Sequence, residues 1–355
     1  MPSIAVLGGD GIDPEIIHEA VRVLARVRSD VECVEAPIGG AALELGLPPL
    51  PDATRELAAS SDAILFGAVG LPKYDGAPMA QRPEAALFAL RSIFALYANL
   101  RPVRVFSGLE DASSLRPELV RGLDLVVVRE LTGGLYFGAR ETRVEDGVEV
   151  AVDTMIYRAP EIERILRTGF ELARTRRKHL TSVDKENVLD TSRLWRRIAL
   201  RMAAEYPDVA VQHLLVDNAA MQLVRRPASF DVIVTENTFG DILSDEAGIV
   251  TGSIGTLPSA SLGAAGTPGK QFGMYEPVGG TAPDIVGKGI ANPTAAILSV
   301  ALLLRHSLDD DANATRIERA VEAVYASGKR TADVAAGAPS LSTASFTDAV
   351  LAQLQ

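Results

Sequence analysis

Short apolar runs alternate along this chain with longer stretches of helical period. Strand-like runs cover Ser3–Leu7, Ala63–Val69, Leu123–Val128, His179–Val183, Val209–Val216 and Phe230–Val234. Helical patterns lie between them, as over Pro14–Arg28, Glu84–Leu96, Pro160–Arg177 and Ser192–Tyr206. In the third of these, Pro160 suits a first helical position, and Ile162, Ile165, Leu166, Phe170 and Ala173 recur at three- to four-residue steps. Its basic end, Arg174–Lys178, reads as a solvated last turn complementing the helix dipole. The alternation predicts an α/β protein. One segment departs from it: within Tyr136–Tyr157, residues alternate about Asp146-Gly147 as in an exposed β-hairpin. Such a hairpin either packs on a partner subunit or is a plain surface feature, and the segment alone leaves both open.

With 355 residues the chain can form a large core and is expected to divide into two domains. Its 47% hydrophobic and 23% charged content is that of an ordinary globular protein. A net charge of −11 argues against nucleic acid or an anionic membrane as partner, and means that an acidic substrate would need a local cluster of arginines. The single cysteine, Cys33, excludes an internal disulfide and a cysteine zinc site, and is expected to be a core thiol. His18, His179, His213 and His306 show no metal-ligand spacing. No basic and apolar leader precedes Ile4, and no apolar run approaches the ~20 residues of a membrane span, so a cytoplasmic location is expected. Gly8–Pro14 follows the first strand but does not form G-x-G-x-x-G, which disfavours a Rossmann reading.

The chemistry-bearing residues cluster at the ends of these elements. After Phe230–Val234, Asn237 and Gly240 read as a turn, and Asp241 and Asp245 stand four apart at the start of a helix. That spacing stacks two carboxylates on one face and suits Mg²⁺ or Mn²⁺, although taken alone the simpler reading is acids complementing the helix dipole. Arg91, Arg101 and Arg129 lie near element ends and could clamp a di- or tricarboxylate, where a lone arginine would be read as a surface ion pair. Tyr136 follows a Gly-Gly turn, Lys185 ends a strand, and Asp217 adds a third acid after another strand. A lysine near a metal and other cations can act as a base, where an isolated one would be a solvated side chain.

The segments GDGIDPE, ANLRPV, RELTGGLYFG, SVDKENV, VDNAAM, TENTFGDILSD, EPVGGTAPDIVGKGIANPTAAILS and SFTDAVL run in this order along nearly the whole chain. Together they resemble the 3-isopropylmalate dehydrogenase branch of the isocitrate/isopropylmalate dehydrogenases, the β-hydroxyacid oxidative decarboxylases. The resemblance implies a two-domain, non-Rossmann α/β fold. Residues 1–98 plus 252–355 would form a cofactor-side domain, and 99–251 a central substrate, metal and dimerisation domain. An arm at about 139–157 would clasp a second subunit, giving a homodimer with shared active sites in the cleft between the domains. By the same resemblance Arg91, Arg101 and Arg129 would bind substrate carboxylates. Asp241 and Asp245 would hold Mg²⁺ or Mn²⁺ together with Asp217 of a second copy. Lys185, also from the second copy, would accept the C2 hydroxyl proton, and Tyr136 would protonate the enol after loss of carbon dioxide. The cofactor loop would comprise Glu276, Gly279, Gly280, Thr281, Ala282, Asp284, Ile285 and Asn292. Asp284, accepting the ribose hydroxyls, would favour NAD⁺ over NADP⁺.

Three departures from the family pattern stand out. Gly279 replaces a histidine that packs beside the adenine, which should weaken NAD⁺ binding. Asp13 stands where the family has glycine. In the helix expected to read the substrate's C3 group, Glu84 and Leu87 fit the isopropylmalate pattern, but Phe88 replaces a second leucine. The ring changes pocket volume enough to shift preference by ~1–3 kcal/mol. The leading expectation is NAD⁺-linked conversion of 3-isopropylmalate to 4-methyl-2-oxopentanoate. A related 3-alkyl- or 3-arylmalate, D-malate and tartrate remain alternatives. A non-catalytic regulatory subunit is disfavoured because the catalytic groups are all present.

Overall fold

The computed structural model describes residues 1–265 and 270–354. Its strands are β1 (Ser3–Leu7), β2 (Glu32–Glu35), β3 (Ala63–Phe66), β4 (Ala98–Arg104), β5 (Asp124–Glu130) and β6 (Arg140–Glu145). They continue with β7 (Val148–Asp153), β8 (His179–Asp184), β9 (Ala210–Leu215), β10 (Val232–Thr235), β11 (Pro258–Ala265) and β12 (Gln271–Pro277). The chain divides into two compact units: Met1–Leu96 with Arg104–Gly122 and Gly248–Gln355, and Tyr97–Val103 with Leu123–Ala247.

In the first unit the strands run in the order β2-β1-β3-β12-β11. β1 is parallel to β2 and β3, β12 is parallel to β3, and β11 is antiparallel to β12. The helix Asp13–Val27 turns Ile16, Ile17, Ala20, Val23 and Leu24 inward, as its period demands. The helix Thr294–Ser307 is apolar almost all round and correspondingly buried from Ala295 to Leu304. A core of Leu7, Ile38, Ile64, Phe66, Leu90, Leu96 and Met274 joins strands to helices. Cys33 is only half-buried on β2, so it is no core thiol.

The second unit orders its strands β4-β5-β10-β8-β9, with β10 parallel to β5 and β8, and β8 parallel to β9. The helix Ala159–Arg174 buries the predicted face, and Gly169 lets it approach Val234 and Leu180 closely. Its basic end is not simply solvated. Arg176 donates to Asp231, which is fully buried, and to Asp124, while Arg174 forks onto Asp208. Arg176 thereby neutralises the Asp231 carboxylate that burial would otherwise penalise, while Asp124 and Asp208 are exposed partners. β6 and β7 form the antiparallel hairpin predicted about Asp146-Gly147, with Val144 and Val148 exposed. Both turn residues take a positive φ, as a tight hairpin requires.

Strand β4 was not evident as an apolar run. Its sequence Ala-Asn-Leu-Arg-Pro-Val-Arg buries Asn99 and Arg101, so polar side chains occupy positions that a hydrophobic pattern would assign to solvent.

Candidate active site

The helix Asn237–Val250 starts earlier than the sequence implied. Asn237 and Gly240 are helical, and Asp241 lies beyond the first turn, where a dipole role has little force. Gly240 is required by a close approach: a Cβ there would lie 2.7 Å from both Cβ and Cγ of Arg129. Arg129, at the end of β5, is thereby laid against the helix and donates to Asn237 Oδ1 at 2.9 Å and, through Nη1, to Asp241 Oδ1.

Arg101 reaches the same carboxylates from β4. Its Nε donates to Asn99 Oδ1 at 3.0 Å, and Nη1 donates to Ser244 Oγ at 2.7 Å and to Asp245 Oδ1 at 3.0 Å. Its Nη2 lies 3.4 Å from Asp241 Oδ1. Tyr136 completes the group: its hydroxyl donates to Asp241 Oδ2 at 3.1 Å, and its ring lies 5.8 Å from the Arg129 guanidinium. Burial and the Asp241 charge raise the Tyr136 pKa, so this hydroxyl keeps its proton. Five predicted residues, Arg101, Arg129, Tyr136, Asp241 and Asp245, thus form one connected network.

Glu130 shapes the Gly-Gly turn before Tyr136. Fully buried, it accepts the Gly133 N–H at 2.7 Å and the Thr132 hydroxyl at 2.7 Å, and pairs with Arg164 at 3.2 Å. Glu236, Asn99 and Ser244 likewise hold the site without having been singled out in the sequence, and Asn237, read there only as a turn residue, does so too. Glu236 accepts the Tyr157 hydroxyl and the Phe239 N–H, and Tyr157 in turn accepts the Asn237 N–H at 3.0 Å. The signal available was a run of polar residues directly after an apolar strand.

Lys185 and Asp217 pair with each other instead. Lys185 follows β8, Asp217 sits in the first turn of the helix Val216–Arg225, and Nζ lies 2.7 Å from Oδ1. The Lys185 hydrogen bond holds Asp217 below the usual carboxylate range. Among the described residues no group of three or more His, Cys, Asp or Glu side chains forms a metal site. The chain alone therefore supplies Asp241 and Asp245 as a pair. Their chemistry suits a hard divalent cation: two carboxylates on one helix face, both partly exposed, with burial raising the Asp245 pKa so that a nearby cation would relieve it.

In the first unit Glu84, Leu87, Phe88 and Arg91 share one face of the helix Glu84–Ile93. Arg91 is buried, donates through Nη2 to Glu276 Oε1 at 3.1 Å, and among the described residues its Nε has no hydrogen-bond partner. Leu87 is half-buried against the core, and Phe88 is half-buried. Glu84 extends towards Gly70, where a Cβ would meet its Oε1 at 3.1 Å and the Thr281 methyl at 3.9 Å.

Glu276 lies next to the end of β12, which leads into the loop with Gly279, Gly280, Thr281 and Ala282, the last with a left-handed φ of 39°. Asp284 and Ile285 occupy a short 3₁₀ turn, Pro283–Ile285, with the Asp284 carboxylate exposed. Asn292 is buried, and its Oδ1 accepts the Thr294 N–H at 3.0 Å while its Nδ2 donates to Asp333 at 3.0 Å. It is thus already committed to holding the start of the helix Thr294–Ser307.

A family model described as isocitrate/isopropylmalate dehydrogenase matches residues 3–350. The chain is 56% identical to a 3-isopropylmalate dehydrogenase of Bordetella avium, with 99% of each chain covered. It is 52% identical to one of Halalkalibacterium halodurans, covering 99% of this chain and 97% of that protein. Among solved structures, an isocitrate dehydrogenase from Methylococcus capsulatus matches with a TM-score of 0.88 at 36% identity, covering 100% of this chain and 99% of the other. A beta-decarboxylating dehydrogenase from Thermococcus kodakarensis, without ligand, matches with a TM-score of 0.80 at 36% identity, covering 100% and 96%. Extent of match, sequence identity and fold agree: the chain belongs to the isocitrate/isopropylmalate dehydrogenase family.

Proposed function

We propose that this protein is a cytoplasmic, NAD⁺-linked oxidative decarboxylase that acts on a 3-substituted (2R)-malate, with 3-isopropylmalate as substrate. The observation that carries this reading is the network of Arg101 and Arg129 on the Asp241–Asp245 pair, with the Tyr136 hydroxyl on the same carboxylate. Cations and a protonated phenol held at one carboxylate pair are what a substrate rich in carboxylates requires. Relatives named 3-isopropylmalate dehydrogenase, at more than half identity over the full length, support the choice of substrate. Among the described residues no helix is long and apolar enough to cross a membrane.

Asp241 and Asp245, with Asp217 of a second copy, would hold Mg²⁺ or Mn²⁺. Bound, the cation would acidify the C2 hydroxyl and stabilise enolate charge, and NAD⁺ would accept the hydride. Arg91, Arg101 and Arg129 bind the two substrate carboxylates. Arg91 has an unused Nε for this, and Arg101 and Arg129 exchange a protein carboxylate for a substrate one. Lys185 of the second copy takes the C2 hydroxyl proton as hydride leaves C2. The resulting β-keto acid loses its C3 carboxylate as carbon dioxide, and Tyr136 delivers its proton to C3. The raised pKa of Tyr136 suits it to hold that proton until the enolate forms. Glu84 repels a third carboxylate, which disfavours isocitrate, while Leu87 and Phe88 offer apolar contact. Asp284 would accept both ribose hydroxyls and repel a 2′-phosphate.

The test is NAD⁺ reduction with Mn²⁺, comparing isopropylmalate, benzylmalate, D-malate, tartrate and isocitrate. Isopropylmalate is expected to give the highest kcat/KM. A larger value for benzylmalate would assign the Phe88 pocket to a different substituent, and silence on all five would refute the enzyme reading.

A further inference from the structure

Asp13 begins the helix Asp13–Val27 and is 1% exposed. Among the described residues, neither of its carboxyl oxygens has a hydrogen-bond partner. The chain after β3 packs directly on it: a Cβ at Gly67 would lie 2.7 Å from Asp13 Cβ and 2.2 Å from the Gly8 carbonyl oxygen. On that side the Ala68 backbone N–H lies near enough to favour the charged form, although its geometry falls short of a full hydrogen bond. The ionisable groups that face Asp13 are both acids, Asp10 from the same turn and Glu276 from β12. Asp10 accepts the N–H groups of Gly40, Ala41 and Gly70, each at 2.8 Å, and Glu276 accepts from Arg91. Neither acid offers Asp13 a counter-charge. An anion here would be buried, repelled from two directions and eased only by the Ala68 N–H.

The turn that carries Asp13 also seats the candidate cofactor loop. Ile12 N–H donates to Thr281 O at 3.0 Å, and Gly11 approaches so closely that a Cβ would lie 2.0 Å from the same oxygen. We propose that Asp13 is a positioning residue for this loop and acts in its protonated form. The Gly9–Asp13 turn keeps its seat on Thr281 while the carboxyl is neutral and loosens when it ionises. The proposal rests on the assignment of the Glu276–Asn292 segment to the dinucleotide, and makes its binding pH-dependent in a way that glycine at position 13 would not.

Burial, reinforced by Glu276 and Asp10, pushes the Asp13 carboxyl up to about 8. The folded protein therefore holds this proton more tightly than the unfolded chain does. The contribution to stability is present at low pH, is lost as pH rises from the ordinary carboxylate range to about 8, and stays constant above that.

The experiment compares the ligand-free wild type with Asp13→Asn and Asp13→Gly from about pH 5 to about pH 9. It follows the thermal midpoint and, at matched pH, the hydrogen-exchange protection of the Ile12 amide. Relative to both variants, the wild type is expected to lose roughly 2 °C or more by pH 8, lose Ile12 protection over the same interval, and then run parallel. With NAD⁺, its KM is expected to rise as pH passes through about 8, where the folded carboxyl ionises, while kcat tracks the variants. Parallel melting and protection profiles in all three proteins would overturn the proposal, as would diverging midpoints with Ile12 protection unchanged. Absence of NAD⁺ reduction at every pH would sink the functional assignment, while the ligand-free profiles would still decide whether Asp13 controls the turn.

Discussion

Among the described residues, a Cβ built on Gly279 meets within 4 Å only the Ile254 Cγ2 methyl, at 3.9 Å, and the backbone there needs no positive φ. The position therefore has room for the imidazole that the family pattern carries. Gly279→His is expected to lower the KM for NAD⁺ roughly fivefold, the equivalent of about 1 kcal/mol of ring contact, with kcat little changed. An unchanged KM in initial-rate kinetics would mean that another side chain already covers the adenine. Tyr136 allows a sharper experiment, because Tyr136→Phe removes one hydroxyl and its single hydrogen bond to Asp241. As the proposed proton donor, its loss should lower kcat by about 10²–10⁴ with KM within a few-fold. A large rise in KM with kcat intact would assign Tyr136 to binding instead. What the sequence could not convey at this scale was context. Asn237 looked like a turn residue because asparagine favours turns, yet it is buried as the acceptor for Arg129. Asp13 was visibly out of pattern, but only the structure shows its carboxyl buried beneath Gly67 without a well-formed hydrogen bond among the described residues.

The helix Asn237–Val250 shows how an element can be legible in part. The four-residue spacing of Asp241 and Asp245 survives a shift in the helix start, because any helix over those positions places them on one face. Gly240 misled for a physical reason: it marks the place where the helix backbone lies against Arg129, not a break in the helix. Gly240→Ala is expected to cost about 1–3 kcal/mol by overpacking, and to impair substrate binding more than stability because the side chain displaced is Arg129. Chemical denaturation and the KM for the malate substrate would check both. A variant with unchanged stability and KM would show that the helix can shift without moving the guanidinium. β4 fails the hydrophobic-period test for a related reason. Asn99 and Arg101 are buried because they serve each other and Asp245, so function has replaced the apolar pattern that would have revealed the strand.

At the scale of the whole molecule, the chain holds its candidate groups in separate sets. Asp241 and Asp245 sit with Arg101, Arg129 and Tyr136, whereas Lys185 and Asp217 sit with each other. The proposed reaction centre draws on both sets, the second coming from the partner of the proposed homodimer. The exposed hairpin β6–β7, with Val144 and Val148 facing outward, is the surface expected to join the copies. Shared sites make a quantitative prediction. Lys185→Ala and Asp241→Asn should each be nearly inactive as homodimers. In a heterodimer of the two, one site would combine the intact Asp241 of the first chain with the intact Lys185 of the second, and the other site would carry both lesions. If the variants are mixed in equal amounts and allowed to exchange subunits, half the dimers are mixed and half the sites in those are whole. About a quarter of the wild-type activity should return. Sites built within single chains would return none, since every site would carry one of the two lesions. Recovery to about a quarter would thus place Lys185 and Asp241 on opposite copies at one centre, while continued silence, with subunit exchange verified by mass, would require the two sets to converge within one chain.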